Sequence, residues 1–166
     1  MPLPARRVLL SMFCLRMLLG VLQGSALGVA APASPVQPGQ VWTLVATTAD
    51  GETLRTVLRL NAAAPTGKPL SYRADRGVML LDTAHGTLIA LDLLDARTGG
   101  LGLACVVDGM LTAPELNGVL ATGTLAQLPA QLETVLAMIA VARTPTDRGA
   151  AVRELRLGTC TLMRTP

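Results

Sequence analysis

The chain has 166 residues, enough for one domain, with 14 basic and 11 acidic side chains. The basic excess sits wholly at the N-terminus, since without Arg6, Arg7 and Arg16 the two signs balance. A neutral remainder whose only aromatics are Trp42 and Tyr72 lacks the charge footprint of a nucleic-acid or anionic-lipid binder, and the aromatic platforms common at sugar sites.

Residues 1–33 read as a cleaved signal peptide. Arg6 and Arg7 precede an almost wholly apolar run from Val8 to Val29, and Ala31-Pro32-Ala33 supplies the small residues of a cleavage site. Cutting after Ala31 would set Pro32 beside the scissile bond, so cutting after Ala33 is expected, with Ser34 as the mature N-terminus. Arg16 interrupts the run, and a charge in mid-membrane costs about 2.5–3.5 kcal/mol. Synthesis from Met12 instead of Met1 would turn Arg16 into the positive flank of a shorter signal. The alternative is an uncleaved membrane anchor, but a run broken by Arg16, Gln23 and several glycines makes a poor permanent span. Lipid attachment at Cys14 is disfavoured by the bulky Phe13 before it. The expected location is secreted or periplasmic, with N-terminal anchoring as the alternative and no other membrane contact.

Residues 34–40 form a Pro-rich lead-in without periodicity, which links the signal to a single disulfide-linked β domain over 41–166. From Val41 to Thr48, Trp42, Leu44 and Ala46 alternate with polar neighbours. Leu54, Thr56, Leu58 and Leu60 form the matching face of a second strand. A three-residue turn, Ala49-Asp50-Gly51, sets Trp42 across from Leu58 and Leu44 across from Thr56. A two-residue turn would mix the faces. Thr83-Ala84-His85-Gly86 echoes Thr48-Ala49-Asp50-Gly51, so the same turn is expected there. It pairs Leu81 with Ile89 and Met79 with Leu91, and leaves Asp82 and Asp92 on the outer face.

Between the hairpins lie a loop over 61–69 and a short strand over 70–74 that carries Tyr72. A turn over 95–100 leads into Leu101 to Val107, with Leu101, Leu103, Cys105 and Val107 on one face. A loop over 110–117 and a weak strand over 118–122 follow. The period then becomes helical, with Leu128, Leu132, Val135, Leu136 and Ile139 on one stripe that should pack against the sheet or across a barrel mouth. Thr124 with Gln127 suits a capping box, and Pro129 a first helical position. This helix should end near Arg143. Thr144-Pro145-Thr146-Asp147 can start a second helix reaching about Val152, and a strand over 155–164 closes the chain. The pattern predicts a mainly β fold: a small antiparallel β-barrel or sandwich of about eight strands, with one or two helices inserted before the last.

Cys105 and Cys160 remain once Cys14 leaves with the signal, and one pair in an oxidising compartment gives one disulfide. His85 is the only histidine and sits in a turn without a cysteine or carboxylate cluster, so no metal site is expected. Ser34 and Ser71 lie in no nucleophile motif. Cysteine catalysis with His85 conflicts with the disulfide. The carboxylate pairs Asp82/Asp92 and Asp108/Glu115 read as solvated surface rather than as a hydrolase centre. Gly99-Gly100-Leu101-Gly102 opens a strand, not a helix, and so lacks the geometry of a phosphate cradle. No catalytic residue and no cofactor is expected.

Trp42 near the first strand resembles the tryptophan that plugs the barrel end in lipocalin-type proteins. That pattern has a glycine two positions earlier, whereas Gly39 stands three before Trp42. A core tryptophan of any β domain is the preferred reading. Trp42 and Tyr72 are the candidate ligand-binding residues. The expected function is an exported, non-catalytic β domain that binds an apolar small molecule or an envelope protein. The alternatives are a structural envelope component without a small ligand and a carboxylate-dependent hydrolase. Self-association through the Leu128–Ile139 helix is a further expectation.

Overall fold

Eight strands form one sheet: β1 (Val41–Thr47), β2 (Thr53–Arg59), β3 (Leu70–Arg73), β4 (Gly77–Asp82), β5 (Thr87–Leu93), β6 (Leu101–Asp108), β7 (Glu115–Thr124) and β8 (Gly158–Arg164). Two helices, α1 (Leu128–Val141) and α2 (Pro145–Glu154), precede β8. These come from a computed structural model that describes residues 34–93, 100–142 and 144–165. The expected signal segment and most of the 95–100 turn lie outside those residues.

All pairings are antiparallel, in the order β2-β1-β8-β7-β6-β5-β4-β3. The sheet is therefore a sequential meander curled far enough for the last strand to pair with the first. It is a half-barrel, not a sandwich. Its two edges touch at one end, where Leu60 bridges Ala74 and the Asn61 and Asp75 amides donate to the Arg73 and Arg59 carbonyls. This contact shortens the free edges that could otherwise recruit foreign strands.

Curling gives the sheet an inside. Trp42, Leu44, Leu58, Met79, Leu81, Leu88, Leu120 and Leu162 meet there, all fully buried. Cys105 and Cys160 belong to the same cluster and form the disulfide, with Cα atoms 5.8 Å apart. Their strands flank β7, in which Gly118 pairs with Cys160. A Cβ at Gly118 would collide with the Val106 carbonyl, so the close approach of β6 and β7 there needs glycine.

The first hairpin has the expected register, with Trp42 opposite Leu58 and Leu44 opposite Thr56. Gly51 takes the left-handed conformation, φ 85°, that closes the three-residue turn. The second hairpin departs from expectation. Asp82 pairs with Thr87, which leaves a four-residue turn over 83–86, and Leu81 faces Leu88, not Ile89. Met79 accordingly faces Ala90 instead of Leu91. The slip reverses β5: Leu88, Ala90 and Asp92 point inward and are completely buried. Asp92 is thus not on the outer face. Its Oδ1 lies 3.4 Å from Arg76 Nε, and its Oδ2 has no partner among the described side chains.

Two further expectations change. β7 starts at Glu115 and runs ten residues, so the expected loop ends earlier. Residues 34–40 are more than a linker, because Val36 is fully buried in the inner cluster.

The outside of the sheet carries a second apolar layer. Ala104, Val106, Val119 and Ala121 pack against Leu128, Val135, Met138 and Ala142. Leu132 and Ile139 are half-buried there, while Leu136 is 37% exposed at the stripe's edge. Gln127 is the N-cap of α1, and its Oε1 accepts from the Thr124 amide and hydroxyl. That is the reaching-back half of a capping box. The Gln127 amide bonds the Thr124 carbonyl, not the hydroxyl, which supplies the turn before the helix. Thr144 caps α2 by accepting from the Asp147 amide, as its sequence predicts. Among the described residues no helix is long and apolar enough to cross a membrane.

Candidate functional site

The inside of the sheet is filled by the apolar cluster, and clefts of about 350–480 Å³ open on its surface. Trp42 and Tyr72 are both buried in the inner core and line none of these clefts. Trp42 Nε1 donates to Gln40 Oε1 at 3.2 Å, and the Tyr72 hydroxyl lies 3.2 Å from Ser34 Oγ.

A largely apolar cleft of about 480 Å³ lies between the β4–β5 hairpin and α1. The reversed face of β5 builds its floor. Leu80 and Ile89 are register partners on the outer side, and α1 contributes Leu136, Ile139 and Ala140 as a wall. A polar row marks its end. Asp82 pairs with Thr87, and Thr87 with Asp108, so one residue from each of three adjacent strands stands in line. His85, in the turn, completes the rim.

Each carboxylate in that row is held. Asp82 Oδ1 accepts from the Ala84 and His85 amides, which stabilises the four-residue turn. Asp82 Oδ2 lies 2.8 Å from His85 Nδ1. A carboxylate only accepts, so Nδ1 carries the proton and Nε2 is left as the acceptor of the neutral ring. The side-chain hydrogen bond to His85 holds the Asp82 carboxyl below its usual range, and the same bond raises His85 above its own. Asp108 Oδ2 accepts from Arg148 Nη2 of α2 at 2.6 Å. The bond ties the rim to the second helix.

The carboxylate pairs named from sequence are both separated. Asp92 faces inward while Asp82 faces outward, and Glu115 is exposed at the start of β7, away from the cleft holding Asp108. The structure joins Asp82 with Asp108 instead. A glycosidase needs one carboxyl kept protonated by a raised pKa, whereas Asp82 is shifted the other way. Among the described residues no group of three or more histidine, cysteine or carboxylate side chains is placed to hold a metal ion. A second cleft of about 380 Å³ lies between α2 and β6–β7 and shares Asp108 and Ile139 with the first.

The sequence reading missed this site because it set Ile89 and Leu91 inside the sheet. The available signal was Asp82 three residues before His85, an Asx-type turn former. Compared with known families, with curated proteins and with solved structures, the chain matches none.

Proposed function

We propose that the chain is an exported, non-catalytic binding domain, secreted or periplasmic, whose ligand is a small and largely apolar molecule. The carrying observation is the outer cleft, with an apolar floor and wall and a single polar rim at Asp82, His85, Thr87 and Asp108. Ligand sites commonly combine mainly apolar walls with a few convergent polar groups. The disulfide and the apolar N-terminal run support export.

Octyl glucoside, used below its micellar concentration, is a neutral probe of this reading. Titration calorimetry is expected to show saturable binding. Ile89→Asp should abolish it by placing a charge on the floor, with the circular dichroism spectrum retained. Equal binding by the variant would remove the cleft as the seat. A structural role without a small ligand is the second reading, favoured by the filled interior of the sheet. It predicts no saturable binding by either protein.

A further inference from the structure

The segment before β1 is held to the sheet by one buried side chain and a few hydrogen bonds. Of residues 34–40 only Val36 is buried, and it is completely so. On one side of it, Ser34 Oγ lies 3.2 Å from the Tyr72 hydroxyl and accepts from the Val36 amide at 3.3 Å. On the other side, Gln40 Oε1 accepts from the Gln37 amide at 2.9 Å and from Trp42 Nε1 at 3.2 Å. The backbone is pinned beside the closure of the sheet, where the Gly39 amide donates to Asn61 and the Leu60 amide to Gln40. Residues 34–37 belong to no strand. Val36 is thus a single apolar knob in a socket whose hydrogen-bonding ends are Tyr72 and, through Gln40, Trp42.

We propose that this socket is a binding site for a short peptide bent about one small branched apolar side chain, occupied here by the chain's own residues 34–37 as a displaceable strap. The chemistry of recognition is that of Ser34-Pro35-Val36-Gln37 itself. A hydroxyl meets Tyr72, the apolar knob fills the socket, and a main-chain N–H meets the Gln40 side chain. Pro35 favours an extended conformation in the residue before it and lowers the entropy lost on docking. Displacing the strap would open the inner core at the end where the two sheet edges meet.

Trp42 is the only tryptophan, so its emission reports on the socket. The test is made on the whole protein as the expressing cell delivers it. Val36→Asp should expel the strap while circular dichroism and the Cys105–Cys160 bridge stay intact, and Trp42 emission should move to the red. An acetylated peptide with the sequence of residues 34–38, added in trans, should reverse the shift saturably. The same peptide with aspartate replacing its valine should not. Tyr72→Phe is a gentler variant that removes one hydrogen bond. Hydrogen exchange at the Val36 and Gln37 amides should then quicken roughly two- to tenfold, with amides between β1 and β8 unchanged. Global loss of β structure in Val36→Asp would make Val36 an ordinary core residue and overturn the proposal. So would a peptide without effect, or exchange in Tyr72→Phe that rises equally in strap and sheet.

Discussion

The two faces of the sheet are built differently, although each buries apolar residues from the same strands. The inside is lined by large side chains, eight of them fully buried, and is closed by the disulfide and the Val36 knob. The outside has small residues, Ala104 and Ala121 among them, where α1 lies close, and larger ones, Leu80 and Ile89, where the helix leaves the cleft. A face of large interdigitating side chains approaches the density of an organic crystal and leaves no room for a ligand. A face covered by one helix of 14 residues, with α2 packed at its margin, is covered only in part. Stability and the proposed small-molecule binding therefore fall on opposite sides of one sheet.

The largest test of this contrast is a pair of truncations. Leu88→Ala on the inside should cost about 2–5 kcal/mol, because the filled core cannot collapse around the cavity. Leu136→Ala on the outside should cost about 1 kcal/mol or less, since its side chain is partly solvated at the edge of α1. Urea denaturation reads both. Similar losses in the two variants would erase the distinction.

The disulfide gives the next effect. Cys105→Ser and Cys160→Ser should each lower stability by about 2–5 kcal/mol and by nearly equal amounts, because either one opens the same loop. Thermal melts that differ widely between the two would show that packing at one cysteine outweighs the cross-link.

The smallest effect is at the rim of the cleft. The Asp82–His85 pair stabilises only between two limits. His85 contributes fully below its ordinary pKa, and the contribution fades as pH rises through the raised folded value. Asp82 contributes above the ordinary carboxylate range, and its part is lost as pH falls through the lowered folded value. Asp82→Asn should return the His85 titration, followed by proton NMR, toward that of a free histidine. An unchanged titration would separate the two side chains in solution.

How much of this was legible in the sequence is clearest from the two hairpins. Both turns read Thr-Ala-x-Gly, and the first is fixed because only one register sets the apolar face of β2, with Leu58 and Thr56, across from Trp42 and Leu44. The second offered no such constraint. Met79, Leu80 and Leu81 are apolar in succession, as are Leu88, Ile89, Ala90 and Leu91, so both faces looked burial-competent. Asp82 decided the matter by bonding the turn amides, a local interaction stronger than the pattern. The slip put Asp92 inside and Ile89 outside, which hid the cleft from a reading based on alternation. The antiparallel β class, the disulfide and the α2 cap are legible because each rests on few residues with few alternatives. The docking of Val36 was not, since a lone valine between prolines carries no periodicity.

The central claim is that a ligand sits on the outside of the sheet. Methyl NMR of leucine- and isoleucine-labelled protein tests it most directly, with octyl glucoside added below its micellar concentration. The account predicts shifts at Leu80, Ile89, Leu136 and Ile139, with Leu44, Leu58, Leu88 and Leu162 unmoved. Shifts confined to the inner leucines would contradict it and return the binding site to the interior of the half-barrel.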